Sequence, residues 1–424
     1  MKTEPSINAL AAVSTSILDY SLKDGRAVRS AKMRDGRYLA HTANPPRTSE
    51  LLASSAEDIF LKRWLESDKK PQSNSDILFK VVDLFSGCGG MSLGIEEACR
   101  AFGMSAEHVY AAEIEPIYAE VYAQNFKPKM QHVGSVTDVF TGELGSPITA
   151  QEQGLAEEIG SVDLLCGGPP CQGHSDLNNY TRRHDPRNSL YDRMARAAEV
   201  LLPSAILIEN VPGVKRDRTG VFERTVLRLQ ELGYEIEVLT LDAADFGIPQ
   251  HRKRAIVVAV RGADRLTHFK DTLSTLQRSA HRPCLWAFSD LSEANNEFDR
   301  SSVLSDESLK RASWLFENNM YELPDSMRPD CHRLKSHSYK SVYGRMYEGL
   351  PAPTITTGCL VMGQGRFLHP KEPRTITPHE AARLQTFPDY FDFGTRKRTA
   401  YAKMIGNAVP PLFSFSIACG LVSY

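Results

Sequence analysis

Paired cysteines and long apolar runs are both missing from this sequence of 424 residues. Its 8 cysteines are scattered singly, and because no two form a Cys-x-x-Cys pair, a structural zinc site is not expected. No stretch of about 18 apolar residues occurs, so no membrane span is predicted. The N-terminal segment MKTEPSINALAAVSTSILDY lacks a basic start followed by an apolar block, so no signal peptide is expected. We therefore expect a protein of the cytoplasm or of a nucleus-like compartment.

An excess of basic charge is missing too. The net charge is −2 at pH 7, so composition alone does not indicate a nucleic-acid-binding protein. Basic residues do cluster in short runs at 181–187, 214–218, 251–254 and 396–398. Such runs are usually solvated surface, but they would line one cleft if the fold brought them together.

Short apolar runs alternate with amphipathic segments from residue 78 onward. The runs ILFKVVDLF, HVYAAEIE, VDLLCGG, AILIENV, EIEVLTLDA and RAIVVAV predict strands, and the segments between most of them predict helices. This alternation is typical of βαβ units and predicts an α/β fold with a doubly wound, mostly parallel sheet. The length exceeds one ordinary core, so we expect a second, smaller domain.

The domain boundaries follow from where the alternation starts and stops. Residues 1–76 form an N-terminal extension of unknown role, with helical spacing at 49–67. Residues 77–261 and 400–424 form the main domain, because the apolar C-terminal helix is expected to return to it. Residues 262–355 form the smaller domain, and 356–399 connect the two.

A glycine corner follows the first of these strands, in DLFSGCGGMSLG. Gly87, Gly89 and Gly90 lie between strand and helix, where backbone amides can approach a ligand. The dinucleotide fingerprint is not met, since Ser92 occupies the position of its third glycine. Glu113 ends the second strand, where a carboxylate commonly holds ribose hydroxyls. The alternative is a glycine turn that only tightens strand–helix packing.

A single cysteine, Cys171, stands in the rigid stretch GGPPCQGHS at 167–175. A thiolate attacks best when it is pre-positioned, and the two prolines before it restrict the backbone. Glu209 in ILIENV ends a neighbouring strand, and PQHRKR brings Arg252 and Arg254 just before another. A thiol nucleophile, a proton-sharing carboxyl group and a cationic donor for a carbonyl oxygen suit conjugate addition to an electron-poor ring.

Each of these residues also has a simpler interpretation. Taken singly, Cys171 is a small core residue, Glu209 a surface acid and the arginines solvated side chains. Ligands of open α/β sheets bind at the carboxyl ends of the strands. We therefore expect Asp83, Glu113, Cys171 and Glu209, which all lie at or just past predicted strand ends, to face one crevice.

Seven motifs in a fixed order carry a resemblance to a known family. They are DLFSGCGG, AAEIE, GGPPCQGHS, ENV, PQHRKR, RTITPHEAARLQTFPD and IGNAVPP. On these motifs the chain resembles the DNA (cytosine-5) methyltransferases over about 78–260 and 353–424. The resemblance implies a Rossmann-like methyltransferase fold that uses S-adenosylmethionine, with 262–355 as the target-recognition domain. It implies no metal.

The resemblance also implies a role for each catalytic residue. Cys171 would add to carbon 6 of a cytosine flipped out of double-stranded DNA. Glu209 would hydrogen-bond ring nitrogen 3 and the exocyclic amine, and Arg254 would hold the carbonyl oxygen with Arg252 beside it. Carbon 5 would then take the methyl group.

Two further sets of residues follow from the resemblance. Those expected around S-adenosylmethionine are Phe85, Gly87, Cys88, Gly89, Gly90, Glu113, Ile114, Ser135, Val136, Pro170, Leu190, Asn407 and Ala408. Those expected to contact DNA, mostly on a loop that closes over it, are Gln172, Ser175, Arg182, Arg183, Arg187 and Gln250. The chain departs from the family at Ile114, where an aromatic residue is common, and at Ser135, where an aspartate commonly reads the adenine amine. We therefore expect modest cofactor affinity.

Two other functions remain open at this point. The same chemistry could act on RNA, although relatives that do so usually differ from IGNAVPP. A DNA-binding regulator without catalysis is the other alternative, and the presence of Cys171, Glu209 and Arg254 disfavours it. A monomer is expected, with a cognate restriction endonuclease as its partner where one exists, and a nucleoid-associated location in a bacterium.

Overall fold

The computed structural model describes residues 16–43, 55–73, 75–170, 190–217, 219–333 and 341–424, and its first element is a small antiparallel sheet. The strands pair in the order β1 (Leu18–Lys23), β2 (Arg26–Lys32) and β3 (Tyr38–Ala43). Helix α1 (Ala56–Leu65) follows, capped by the Ser55 side chain. Helical spacing predicted α1, whereas the sheet was not predicted, because β2 buries the charged Arg29 on the same face as its alanines and so hides the alternation.

A seven-stranded sheet forms the centre of the protein. Its strands are β4 (Leu78–Leu84), β5 (Ser105–Glu113), β6 (Met130–Val133), β7 (Leu164–Gly167), β8 (Ala205–Asn210), β9 (Glu235–Asp242) and β10 (Lys253–Val260). They lie in the order β6-β5-β4-β7-β8-β10-β9, and β10 runs antiparallel to both of its neighbours. The predicted α/β class with a doubly wound, mostly parallel sheet is thus confirmed.

Helices cover both faces of this sheet. Successive residues of the central strands alternate between two cores: Phe79 and Val81 of β4 belong to one, and Val82 and Leu84 to the other. The first core contains α2 (Gly90–Ala101), α3 (Pro116–Phe126), α7 (Ala263–Thr275) and α13 (Pro411–Val422). The second contains α4 (Ala150–Ile159), α5 (Asp192–Leu201) and α6 (Val221–Glu231).

The remaining helices surround a smaller apolar cluster or join it to the sheet. They are α8 (Cys284–Phe288), α9 (Asp306–Glu317), α10 (Asp330–Arg333), α11 (Pro378–Leu384) and α12 (Arg398–Asn407). The small cluster consists of Ala312, Leu315, Leu323, Met362 and Leu368. Because Met362 and Leu368 lie beyond residue 355, we propose that the smaller domain continues through Leu368.

The C-terminal helices α12 and α13 return to the main sheet. Together they span Arg398–Val422, a stretch long and apolar enough to cross a membrane, yet 89% of its apolar window is buried inside the protein. Gly94 of α2 packs against this stretch so closely that a Cβ there would lie 2.1 Å from the Pro411 carbonyl oxygen. The apolar character of α13 is therefore that of a core helix.

Candidate active site

The carboxyl edge of the sheet gathers most of the predicted functional residues. Strands β4, β5 and β7 are parallel and end here at Leu84, Glu113 and Gly167, and Glu209 is the penultimate residue of β8. Because β10 is antiparallel, its second residue, Arg254, reaches the same edge. The fold thus forms a crevice where the strand-end rule predicts a ligand.

The glycine corner after β4 is built for close approach. Phe85 has a φ of 57°, a left-handed conformation that is unusual for a residue with a side chain, and Gly87 and Gly89 have φ of 55° and 96°. A Cβ at Gly89 would lie 2.1 Å from the ring of Phe126, and one at Gly90 would lie 2.3 Å from the Val409 carbonyl oxygen. Both positions therefore require glycine.

Glu113 faces this corner and is held by two backbone amides. Gly87 N–H donates to its Oε2 over 2.8 Å, and Glu115 N–H donates to its Oε1 over 2.9 Å. Burial raises the pKa of the carboxyl group, and these two amides oppose that rise. A fixed carboxylate at the end of the second strand fits the hydroxyls of a ribose.

Two further groups complete the cofactor side of the crevice. The Ser86 hydroxyl oxygen is buried and has no hydrogen-bond partner within the described residues. Ala408 lies against the corner, since a Cβ added at Gly90 would be 3.2 Å from the Ala408 Cβ. Asn407, the residue before Ala408, is exposed. An orphaned hydroxyl, a carboxylate and a glycine-lined helix N-terminus fit the amino-acid and ribose parts of S-adenosylmethionine.

The adenine side of the predicted pocket is weaker in polar contacts. Ile114 is 63% exposed, and Val136 is buried. The Ser135 side chain accepts a hydrogen bond from Thr137 N–H over 3.3 Å, and its own N–H donates to Asp138 Oδ2 over 3.0 Å. Ser135 thus caps a short 3-10 helix, and its hydroxyl also lies 2.7 Å from Thr137 Oγ1.

The Cys88 side chain turns away from the crevice. Its Sγ lies 3.8 Å from the Met404 carbonyl oxygen, and burial raises the pKa of the thiol to about 12. Only the backbone of Cys88 can contribute to the predicted cofactor site. Pro170 and Leu190, which were also predicted there, are half-buried and stand at either end of 171–189.

Glu209 and Arg254 form an ion pair across β8 and β10. Arg254 Nε lies 2.7 Å from Glu209 Oε1, and the side chains are 13% and 12% exposed. Arg254 also donates to the Lys253 carbonyl oxygen over 2.7 Å. A half-enclosed, charge-assisted pair of this kind fixes the direction of both groups before a substrate arrives.

The corner that precedes Cys171 is fastened beside this pair. A Cβ at Gly168 would lie 3.4 Å from Glu209 Oε2, and Asn210 Nδ2 donates to the Pro169 carbonyl oxygen over 3.2 Å. The end of β7 therefore brings the residues before Cys171 next to the Glu209 carboxylate. Cys171 lies outside the described residues, as do Gln172, Ser175, Arg182, Arg183 and Arg187.

Three predicted positions lie away from the crevice. Asp83 is 1% exposed and accepts a hydrogen bond from Ser92 Oγ over 2.6 Å beneath the glycine corner, and burial raises its pKa to about 7. Arg252 is 2% exposed and donates to the carbonyl oxygens of Ile355 and Ala408 over 3.0 and 2.9 Å. It is occupied with backbone groups, so this arrangement does not by itself support a catalytic role for Arg252.

Gln250 is likewise directed into the protein. It is fully buried: its amide donates to the Leu384 carbonyl oxygen over 2.9 Å and to Gln385 Oε1 over 2.7 Å, and its oxygen accepts from Ile355 N–H over 3.0 Å. Both the amide nitrogen and the amide oxygen of the side chain are thus bonded inside the protein. A DNA contact through Gln250 is therefore not supported by this arrangement.

Sequence reasoning did not assign roles to Asn210, Ser86 and Gln385. Asn210 was visible as the second letter of ENV, directly after the carboxylate, and its contact with Pro169 explains why an amide stands there. Gln385 donates to the Ala408 carbonyl oxygen over 3.2 Å and lies within the motif RTITPHEAARLQTFPD. No feature of the sequence alone indicates that partner, because 23 residues separate the two.

The fold and the crevice together define a class. The central sheet has seven mostly parallel strands, and its single antiparallel strand lies one place from the edge. Together with the glycine corner and the acidic end of the second strand, this arrangement is that of S-adenosylmethionine-dependent methyltransferases. Among solved structures, the chain resembles an Escherichia coli prophage protein described as a DNA modification methyltransferase, with a TM-score of 0.55, 26% identity, and coverage of 81% of this chain and 98% of that one. Entamoeba histolytica EhMeth has a TM-score of 0.54 at 18% identity, over 81% and 98% of the chains, which shows the shared fold.

The sequence comparisons narrow the class to a family. The C-5 cytosine-specific DNA methylase model matches residues 79–422. The chain is 43% identical over 398 residues to the Type II methyltransferase M1.BsuMI of Bacillus subtilis, covering 92% of each. It is 31% identical over 342 residues to the Type II methylase M.HgiDII of Herpetosiphon aurantiacus, covering 78% of this chain and 91% of the relative. The chain belongs to the C-5 cytosine-specific DNA methylases and is a DNA (cytosine-5) methyltransferase, as predicted.

Proposed function

We propose that the enzyme methylates carbon 5 of a cytosine flipped out of a specific sequence in duplex DNA, through a covalent adduct with Cys171. The observation that carries this proposal is the Glu209–Arg254 pair, 2.7 Å apart, beside the corner that leads into Cys171. A base buried in a duplex has to leave the stack to reach such a crevice.

The residues divide the chemistry among them. The Cys171 thiolate forms a bond to carbon 6 while Glu209 shares a proton with ring nitrogen 3, so that the added electron pair makes carbon 5 nucleophilic. Arg254 holds the carbonyl oxygen and fixes the ring. S-Adenosylmethionine, when bound against the glycine corner, would supply the methyl group that carbon 5 accepts and would leave as S-adenosylhomocysteine. A base then removes the carbon 5 proton, and the carbon–sulfur bond breaks to release Cys171 as a thiolate. The proton on ring nitrogen 3 returns to Glu209.

The cofactor would be held by the groups already described. Glu113 would accept hydrogen bonds from the ribose, and Ser86 and the amides after Gly87 would meet the amino-acid end. Asn407 and Ala408 would close the pocket from the C-terminal side, with Leu190 and Pro170 nearby. The neutral Ile114 and Ser135 explain why we expect modest affinity for the adenine.

The decisive experiment traps the adduct. The protein is incubated with S-adenosylmethionine and a duplex in which 5-fluorocytosine replaces cytosine throughout, and adducts are resolved by denaturing electrophoresis and mass spectrometry. Fluorine cannot leave as a proton does, so we expect a covalent complex through Cys171, absent in Cys171→Ser. A matched RNA duplex is the control. Adducts on RNA alone would indicate an RNA methyltransferase. Adducts on neither nucleic acid would favour the DNA-binding regulator without catalysis.

The residues after Cys171 are proposed to bind DNA phosphates through Arg182, Arg183 and Arg187. Replacing all three by alanine should weaken binding and make the dependence of affinity on salt shallower by up to about 3 in log–log slope, since each phosphate contact contributes roughly 0.9. An unchanged affinity and an unchanged slope would exclude this role.

The sequence preference is proposed to reside in the smaller domain, and the biological setting to be a restriction-modification system. The Type II names of the relatives support that setting. Methylation sequencing at single-base resolution, on DNA from cells that express the protein, should reveal one short motif. A cognate endonuclease, where one exists, should cut that motif only when it is unmethylated. We expect a monomer in the cytoplasm, where the DNA lies.

A further inference from the structure

Helix α1 contacts the junction between the main sheet and the smaller domain, although it lies outside the family match at 79–422. We propose that α1 positions the smaller domain for DNA, so that its residues are positioning residues for the methyl transfer. The proposal rests on the proposed function, in which the smaller domain binds DNA beside the crevice. It gives a role to a segment for which sequence analysis found none.

The first turn of α1 is acidic and faces two arginines from the segment after α7. Arg278 Nη1 lies 2.6 Å from Glu57 Oε2, and Arg282 Nε lies 2.6 Å from Asp58 Oδ1. Crossed contacts at 3.2 Å join Arg278 to Asp58 and Arg282 to Glu57. Four contacts among four side chains make a network, which holds a fixed geometry better than an isolated surface pair does.

One of these arginines continues the connection to the loop before β10. Arg282 is 3% exposed and donates to the Gly247 carbonyl oxygen over 2.7 Å, with its guanidinium 4.6 Å from the centre of the Trp286 ring. Gly247 opens the segment that leads through Arg252 to Arg254. The first turn of α1 is thus connected through Arg282 to the backbone at Gly247, in the loop that precedes β10.

The last turn of α1 fastens the opposite side of the junction. Lys62 is fully buried, donates to the Ala287 carbonyl oxygen over 3.0 Å and pairs with Asp290. Arg383 of α11 donates to the same carbonyl oxygen over 3.0 Å and contacts Asp290 at 3.3 Å. The Leu65 carbonyl oxygen accepts from Asp389 N–H over 3.0 Å.

α1 is itself anchored on the main domain. Phe60 and Trp64 are 3% and 5% exposed and belong to the core that contains α2 and α13. The Arg29 guanidinium of β2 lies 4.9 Å from the centre of the Phe60 ring and 5.3 Å from that of Phe415 in α13. α1 is thus fixed on the main domain, and its two end turns contact the beginning and the end of 278–290. These contacts restrict how that segment can tilt relative to the main domain.

The test uses charge reversal at the most accessible pair of the network. Glu57 and Arg278 are 31% and 18% exposed, so Glu57→Arg and Arg278→Glu should fold, and the double variant restores opposite charges with exchanged positions. The control is Glu107→Arg, which reverses one partner of the pair between Glu107 of β5 and Lys129 just before β6, 2.8 Å apart. We expect each single reversal to raise KM for DNA roughly five- to tenfold. The affinity for S-adenosylmethionine, measured by calorimetry, should stay unchanged, and the control should resemble the wild type. The double variant should recover the wild-type KM only in part, because it restores the contact between positions 57 and 278 but places like charges against Arg282 and Asp58.

Several outcomes would overturn the proposal. If the single reversals keep the wild-type KM for DNA, α1 does not position the smaller domain. If cofactor affinity falls in parallel with KM and the double variant restores neither, the contacts serve only general folding. A wild-type protein that methylates no nucleic acid refutes the proposed function instead. In that case the positioning role of α1 is tested by hydrogen exchange of the backbone amides of 284–333. The proposal requires faster exchange in the single variants and slower exchange again in the double variant.

Discussion

The guanidinium of Arg252 donates to the carbonyl oxygen of Ala408 over 2.9 Å, and the same group reaches the Ile355 and Gly406 carbonyl oxygens over 3.0 and 3.3 Å. One buried side chain thus joins the loop before β10, a segment of the smaller domain and the C-terminal wall of the cofactor crevice. The compact ammonium group of a lysine cannot donate to all three carbonyl oxygens as the planar guanidinium does.

We therefore predict that Arg252→Lys loosens the cofactor side of the crevice. Leaving buried carbonyl groups without donors should lower the free energy of unfolding by about 1–3 kcal/mol and weaken S-adenosylmethionine binding. Thermal unfolding and calorimetry measure the two effects. Arg261→Lys, at an exposed residue just beyond the other end of β10, serves as the control. Wild-type cofactor affinity in Arg252→Lys would contradict the coupling.

Glu209→Gln should separate binding from chemistry. Glutamine keeps the shape of the side chain next to Gly168 but cannot share a proton with the ring, so we expect the rate of methyl transfer to fall by roughly 10²–10⁴. Affinities for DNA and S-adenosylmethionine should change little. Single-turnover methylation with a tritiated methyl donor gives the rate, and a rate within tenfold of the wild type would remove Glu209 from the proposed mechanism.

The sequence predicted the sheet well because a strand buried on both faces is encoded by a nearly continuous run of apolar residues. ILFKVVDLF followed by glycines has few other interpretations, and β4 spans Leu78–Leu84 as expected. It predicted the placement of Arg254 and Glu209 for the same reason, since both lie at strand ends. Strand β6 was missed because it has only four residues, with no long apolar run.

The separate surroundings of Arg252 and Arg254 have a physical cause. Two residues apart in a strand, Arg252 and Arg254 would share a face, but β10 begins at Lys253, so the alternation does not extend back to Arg252. Its partners lie 103 and 156 residues further along the chain. Contacts of this separation depend on how the smaller domain returns to the sheet, and no local pattern encodes that path.

Gly90→Ala should damage both stability and cofactor binding. Its Cβ would lie 2.3 Å from the Val409 carbonyl oxygen and 3.2 Å from the Phe387 ring, so the IGNAVPP segment has to move, at a cost of about 1–3 kcal/mol. Gly154→Ala is the matched control, because Gly154 lies within helix α4 with nothing near its Cβ position and should gain up to about 1 kcal/mol. Urea unfolding of both variants checks the opposite signs. Equal effects would mean that close packing at Gly90 is unimportant.

Ser135→Asp should tighten cofactor binding. An aspartate can still cap the 3-10 helix that begins at Val136, and its second carboxylate oxygen would accept from the adenine amine. The nearby Asp138 repels the new charge, so we expect a gain of only about three- to tenfold. Calorimetry on Ser135→Asp and Ser135→Ala gives the comparison, since alanine removes the cap without adding an acceptor. Weaker binding in the aspartate variant would show that position 135 does not face the adenine.

Stability should depend on pH through His379, which lies between two carboxylates. Its Nδ1 is 2.7 Å from Asp299 and its Nε2 is 2.9 Å from Asp389. Burial disfavours the charged ring, but the hydrogen bonds to Asp299 and Asp389 outweigh it and raise the pKa of His379. Burial opposes ionisation of Asp389 as well, yet His379 and Arg383 lower the pKa of that carboxyl group to about 2.

The signs of these shifts define a window of pH. A histidine whose pKa is raised by folding stabilises the protein fully below its unfolded value of about 6.5, and that stabilisation disappears as the pH rises through the folded value. The carboxylates contribute above their unfolded value of about 3.9 and lose their contribution as the pH falls. The excess unfolding free energy of the wild type over His379→Gln should therefore be largest between about pH 4 and 6.5, at roughly 2 kcal/mol, and should shrink by pH 9. Urea unfolding at pH 5, 7 and 9 measures it.

His268→Gln is a control of opposite sign, because burial lowers the pKa of His268 and its contribution to the free energy of unfolding should grow with pH. A difference for His379→Gln that is flat across this range would mean that the ring is not charged in the folded protein.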